Sequence, residues 1–252
     1  QYFTIEHNVE GVESIDVKIA KRLLDKLGLN HQIIRRQSMS EDFRSLYYAN
    51  YPYGRDRQGS IAYTLACSLG TEFTLLNSNT SEVTQCNYWL PKRNITGEGL
   101  AILTGLYHPL AIQEFNKWLE RAKLPCETAG LNILALFHWE QRGGRWASAS
   151  FSEYDITHES FTPYNNRFLN RVLLGISERY RRDRMHYVAL KMINRIWPEA
   201  LSEPINPGTA LVERAEIFIR RKILHKIITP WCPIVEYIKF MRKRKRFKHL
   251  SL

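Results

Sequence analysis

The sequence has no apolar run of the 18 to 20 residues a bilayer span requires. It also lacks the basic start and apolar core of a secretory leader, so a cytoplasmic protein without a transmembrane span is expected. Cysteine is scarce: Cys67, Cys86, Cys126 and Cys232 are dispersed without a CxxC pair, which argues against a zinc knuckle and fits free thiols in a reducing compartment. None of the histidines has the HxxxH spacing of a metal site. No GxSxG elbow, Walker A loop or GxGxxG fingerprint occurs either. Acidic residues are missing from Lys239 to Lys248, where seven cations stand together, so the net charge of +11 is concentrated at one end.

What is present is a globular composition, 44% hydrophobic and 12% aromatic over 252 residues, enough for a sizeable core. "YFTI" at residues 2 to 5 reads as a strand from the outset, and the chain opens on Gln1, so more polypeptide upstream is expected. Residues 14 to 27 form an amphipathic helix with Ile15, Ile19, Leu23 and Leu27 on one face, Ser14 as N-cap and Gly28 just past its end. "HQIIRR" (31 to 36) and "EFTLL" (72 to 76) read as further strands, with helices near 40 to 49 and 58 to 69 between them. Strands alternating with helices predict an α/β fold: a parallel sheet flanked by helices, with ligands at the carboxyl ends of the strands. After about residue 105 the pattern turns helical, at 108 to 122, 132 to 142, 165 to 176, 185 to 196, 212 to 228 and 233 to 246. The expected division is a nucleotide-binding α/β part over 1–105, a helical part over 106–230, and a basic helix or tail over 231–252.

Two stretches carry candidate chemistry. In "FTLLNSNTSEVTQCNYW" (73 to 89), Asn79 and Glu82 have the spacing of a capping box ahead of a helix. The same position, after a parallel strand, suits anion binding by backbone N–H groups, although the loop has no glycine. Both readings stand at this point. In residues 138 to 167, Glu140, Arg142, Arg145, Glu153, Asp155, His158, Glu159 and Arg167 lie among aromatics, and Gly143–Gly144 marks a bend or a close backbone approach. These charges would either orient a substrate or interlock as surface ion pairs. The basic tail would contact nucleic acid, an anionic membrane surface or an acidic partner through non-specific charge, or simply be solvated. Sequence-specific nucleic-acid binding is not expected, because a charge run has no base-reading geometry.

Taken in order, these segments resemble the synthetase domain of asparagine synthase-like proteins, in the ATP-pyrophosphatase (PP-loop) superfamily. "YFTIEHN" with "SIDVKIAKRLLDKLGLNHQII" looks like the family's second strand, helix and next strand. "NSNTSEVTQCNYW" stands in place of its G-x-G-x-D-E loop, and "EQRGGRWASASFSEYDITHESFTPYNNRFLNRVLL" looks like its R-x-x-R…E-x-x-x-P segment. "YRRDRMHYVALKMINRIWPEALSEPINP" resembles the downstream WPelL..P.NP pattern, so the likeness runs from Phe3 to about Pro207. It implies an adenine nucleotide alpha hydrolase-like fold and an ATP-dependent ligase or amidotransferase. Such an enzyme adenylates a small-molecule carboxylate, releases pyrophosphate and forms an amide, drawing nitrogen from an upstream glutaminase domain or subunit where one is used.

Carried over by motif, Glu159 stands at the catalytic glutamate, four residues before Pro163. Phe3, Thr4, Ile5, Asn77, Ser78, Asn79, Thr157 and His158 take nucleotide-facing positions, Arg142 and Arg145 support them, and Glu82 takes a position facing Mg²⁺. Ser81 replaces the family's aspartate, and a hydroxyl is a weaker ligand for a hard cation. The S-G-G-x-D-S loop is expected upstream of Gln1. Lys222 and Lys226 are candidates for the late lysine. Two other functions remain open from sequence: a binding module that kept the fold and lost the chemistry, and a protein acting through its basic tail.

Overall fold

The structure, a computed structural model, describes residues 1–7, 13–182, 186–205 and 233–250. Lys222, Lys226, Cys232 and the helix expected at 212 to 228 lie outside the described residues. β1 (Tyr2–Glu6) pairs in parallel with β2 (His31–Arg35), in register from Tyr2 opposite His31 to Glu6 opposite Arg35. The crossover between them is α1 (Ile15–Lys26). Its ends are set by the residues the sequence marks: the Val17 N–H donates to Ser14 Oγ, and Gly28 takes φ +63° so that the Leu29 N–H reaches back to the Leu24 carbonyl. Ser14 is itself tied to the strand, its N–H donating to Glu6 Oε2 at 2.8 Å.

α2 (Glu41–Asn50) and α3 (Asp56–Leu69) follow, then β3 (Thr74–Leu76). β3 pairs in parallel with β4 (Glu159–Phe161), a strand within the region read from sequence as helical. The described strands thus form two parallel pairs rather than one flanked sheet. One core serves both. Ile61 and Leu65 of α3 pack with Ile34, and Phe3, Ile5, Leu75 and Tyr154 close around them.

A second, larger core lies among the helices. α4 (Gly97–Thr104), α5 (Pro109–Ala129) and α6 (Ile133–Phe137) bury Leu100, Ile102, Phe115, Trp118 and Phe137. The Phe115 and Trp118 rings meet Phe137 edge-on at 5.1 and 5.0 Å. α4 depends on glycine for close approach: a Cβ on Gly99 would fall 1.9 Å from the Asn94 carbonyl oxygen, and one on Gly97 2.3 Å from that of Ile112.

A π-helical segment (His138–Ala147) continues directly from α6 into α7 (Ser148–Tyr154), then β4, α8 (Arg167–Leu174), α9 (Glu178–Arg181) and α10 (Tyr187–Ile196). The last described element, α11 (Pro233–Leu250), places Phe240 and Phe247 in the helical core. The basic stretch therefore belongs to a docked helix, not a frayed tail. Arg244 faces Glu98 at 3.8 Å and Lys243 Nζ donates to the Leu103 carbonyl. No helix among the described residues is long and apolar enough to cross a membrane.

Candidate functional site

The carboxyl end of β3 is the centre of the site. The ladder extends one step beyond the strands, with the Asn77 N–H donating to the Phe161 carbonyl, and Thr162 Oγ1 donates to Asn77 Oδ1 at 2.8 Å. Asn77 Oδ1 also accepts from the Asn79 N–H at 3.2 Å, an Asx turn that folds the loop back on itself. The Asn77 side-chain nitrogen is buried without an acceptor among the described residues.

No capped α-helix follows. Thr80 takes φ +76° and residues Ser81–Thr84 form one 3₁₀ turn without a side-chain cap, which corrects the capping-box reading of Asn79 and Glu82. The cause is long-range. Arg181 Nε donates to the Val83 carbonyl and the Cys86 N–H donates to the Arg181 carbonyl, so groups an α-helix would pair internally are already engaged.

Against this loop lies the π-helical segment. The Ser148 N–H donates to the Gly143 carbonyl, five residues back, the spacing that defines this wider coil. Four-residue steps therefore place His138, Arg142 and Trp146 along one side, with Trp139, Gly143 and Ala147 beside them. These six, together with Asn79, Thr80, Glu82 and Val83, enclose a cleft of about 60 Å³. That volume suits one phosphate or carboxylate group and is far below the several hundred Å³ of a site enclosing a whole nucleotide. Gly143 and Gly144 are not points of close approach, since a Cβ on either would stay 3.7 Å from Trp139.

Inside the cleft, the Arg142 guanidinium sits 3.9 Å over the Trp146 ring, a cation–π contact that fixes its plane while leaving its N–H edges available. Burial pushes the His138 imidazole down to about 4, with Glu82 opposing and Arg142 reinforcing the shift. His138 is thus neutral near pH 7, and its ring packs edge-on to Tyr88 at 4.9 Å. The arrangement offers one fixed cation, one carboxylate and one neutral imidazole.

The other sequence candidates divide. Thr157 and His158 are buried beneath β4: Thr157 Oγ1 lies 2.8 Å from His158 Nδ1, and the imidazole is stacked between Phe73 at 4.8 Å and Tyr154 at 5.8 Å. Glu159 opens β4 opposite Thr74, exposed, at the amino end of the strand rather than beside the loop. No ion pair to it occurs among the described residues. Its charge is felt instead by Asp155, whose carboxyl is held above its usual range first by burial and then by Glu159. Arg145 faces away from the cleft, where its charge reaches Glu114 on α5. Phe3, Thr4 and Ile5 form β1, the aromatic and isoleucine turned to the shared core and Thr4 Oγ1 3.0 Å from His31 Nε2.

Among the described residues, Glu82 is the one carboxylate lining the cleft, and no group of three metal-ligating side chains occurs. Mg²⁺ commonly keeps waters and phosphate oxygens and needs only one or two protein carboxylates, so this donor set fits an ion that arrives with a phosphate, not a resident one.

Sequence reasoning passed over His138 and Trp146. The signal was their four-residue spacing around Arg142. Glu153, read from sequence only as one charge among several in this stretch, is buried and accepts from Tyr47 Oη at 2.5 Å, the Arg55 backbone N–H at 3.1 Å, and Arg55 Nη2 at 2.7 Å. With Arg55 Nη2 also donating to Ser150 Oγ, this network pins α7 to α2 and α3 and so fixes the cleft's wall.

Comparison of the chain with family models, with curated proteins and with solved structures gave no significant match.

Proposed function

We propose that this chain is an asparagine synthase-like ATP-dependent carbon–nitrogen ligase with an adenine nucleotide alpha hydrolase-like fold. It transfers AMP from ATP to a carboxylate, releasing pyrophosphate. An amine or ammonia then attacks the acyl carbon, expelling AMP and leaving an amide. One observation carries this reading: the two sequence stretches that resemble the family, around residues 77–83 and 138–162, lie far apart in the chain yet share one polar cleft and one strand pair.

In this reading Asn77, Ser78 and Asn79 face the nucleotide and Phe3 to Ile5 pass its base. Arg142 stabilises phosphate charge in the cleft. Glu82 would be the protein carboxylate that holds Mg²⁺, which would supply neutralisation of the phosphate charge. Glu159, free of ion pairs to the described residues, removes a proton from the attacking nitrogen at the part of the substrate that reaches from the cleft to the amino end of β4, three residues away. Thr157 and His158 act from beneath, holding the amino end of β4 in place.

Exchange of radiolabelled pyrophosphate into ATP tests the proposal. Adenylation alone supports this exchange, so Arg142→Ala is expected to reduce it by ten-fold or more, while Glu159→Gln spares exchange and lowers amide formation at least a hundred-fold. Exchange absent from the wild type with every carboxylate tried would remove the ligase reading. A non-catalytic binding module is the second reading, favoured by Ser81, whose backbone carbonyl and N–H are both spent within its own turn, on Thr84 Oγ1 and the Ser78 carbonyl. Titration calorimetry with ATP and Mg²⁺ separates the two, because a module that lost the chemistry and its ligand gives no heat.

A further inference from the structure

The carboxyl ends of β1 and β2 carry a feature the cleft does not use. Arg36 follows β2 directly and donates its N–H to the Glu6 carbonyl, which places it beside His7, the residue that follows β1. Arg57 lies in the first turn of α3, one helical turn before Ile61, and Ile61 packs on Ile34 of β2. Residues that follow β1 and β2 and the first turn of α3 thus set His7, Arg36 and Arg57 at the end of one parallel pair.

The acids nearby are committed elsewhere. Glu6 is buried and accepts from the Ser14 N–H; Asp56 is held by Arg44 at 2.9 Å and Tyr48 Oη at 2.8 Å; Glu153 is held by Arg55. Arg36 and Arg57 are both exposed, and neither makes an ion pair among the described residues. Their field is felt locally: the His7 imidazole is held below its usual range by burial and then by Arg57 and Arg36, with Glu6 opposing least. Among the described residues, no carboxylate pairs with either guanidinium beside the His7 imidazole.

We propose that His7, Arg36 and Arg57 form a binding site for a phosphate or pyrophosphate group, separate from the Glu82–Arg142 cleft. The charge selects the ligand class. One guanidinium satisfies a carboxylate with two parallel hydrogen bonds, whereas two guanidinia match the double charge and the extra oxygens of a phosphate. The carboxyl ends of parallel strands are also where such ligands bind in open α/β layers. The site does not rest on the ligase reading, since free pyrophosphate and the phosphates of a nucleotide have the same chemistry.

Calorimetry on the full chain with pyrophosphate, ATP and adenosine tests it, using Arg36→Gln, Arg57→Gln, the double variant, and Arg93→Gln as an exposed control. Each single change is expected to weaken pyrophosphate binding about ten-fold and the double change to abolish it, with Arg93→Gln close to wild type. Pyrophosphate binding that survives the double change, that falls equally in Arg93→Gln, or that is missing from the wild type overturns the site. ATP binding lost in the double variant while adenosine still binds makes a nucleotide the source of the phosphate. Pyrophosphate bound without any ATP binding keeps the site and removes the ligase.

Discussion

At the residue scale, His138 and Glu153 have measurable consequences. His138 titrates near 4 in the folded chain against about 6.5 unfolded, so the unfolded state binds the proton first as pH falls. The stability this group contributes is complete above about pH 6.5 and is lost as pH drops through about 4, up to roughly 3 kcal/mol. Urea titrations at stepped pH should show a shallower acid limb for His138→Gln than for the wild type; parallel limbs would show that the ring is not shielded. Glu153→Ala removes the acceptor shared by Tyr47 and Arg55, leaving the Tyr47 hydroxyl with the Arg55 carbonyl at 3.0 Å and the Arg55 guanidinium with Ser150 Oγ. A loss of about 2 to 3 kcal/mol is expected, below the value for a fully buried pair because Arg55 is partly exposed. Burial and then the Glu153 carboxylate hold the Tyr47 hydroxyl well above its usual range, so in an ultraviolet pH titration Tyr47 should be among the tyrosines that ionise late, and in Glu153→Ala it should ionise earlier while staying above the usual range, because burial remains. Residues such as Ser14 and Gly28 were legible because their partners lie within a few positions. Glu153 was not, since its partners stand about a hundred residues away.

At the scale of elements, glycine and aromatic positions separate close contact from mere pattern. Gly99→Ala drives a Cβ into the Asn94 backbone and is expected to cost about 2 kcal/mol or more, whereas Gly144→Ala meets nothing nearer than 3.7 Å and should be neutral or stabilising by up to about 1 kcal/mol. Thermal unfolding of the two variants checks both signs. In α11, Phe240→Ala should cost about 3 kcal/mol, while Arg242→Gln on the same helix stays within about 0.5 kcal/mol. α1 and α5 were readable from period and punctuation. β4 was not, because "ESF" is three residues with no alternation and becomes a strand only when β3 supplies its partner. The turn after Asn79 failed in the opposite sense: its local spacing asks for a helix and Arg181 overrides it.

For the whole molecule, the α/β character and the helical region after residue 105 could be read from alternation and spacing. The pairing of strands into two separate couples, and the enclosure of a cleft by residues 79–83 and 138–147, depend on contacts no local window contains. The β3–β4 couple is the extreme case. Its hydrogen bond between Thr162 and Asn77 closes a loop of 85 residues for a ladder only three residues long. Closing so long a loop costs entropy that so few bonds repay poorly, so this couple forms only once the helices between its strands have folded. It should then be among the first parts of the native state to open. In native-state hydrogen exchange, the Asn77 amide is expected to exchange through a local opening well below the global unfolding free energy, while amides in α5 follow global unfolding. The loop that carries the candidate site would thus be stapled to the rest of the protein by its weakest long-range seam, and a ligand bound there would reveal itself by slowing that one exchange.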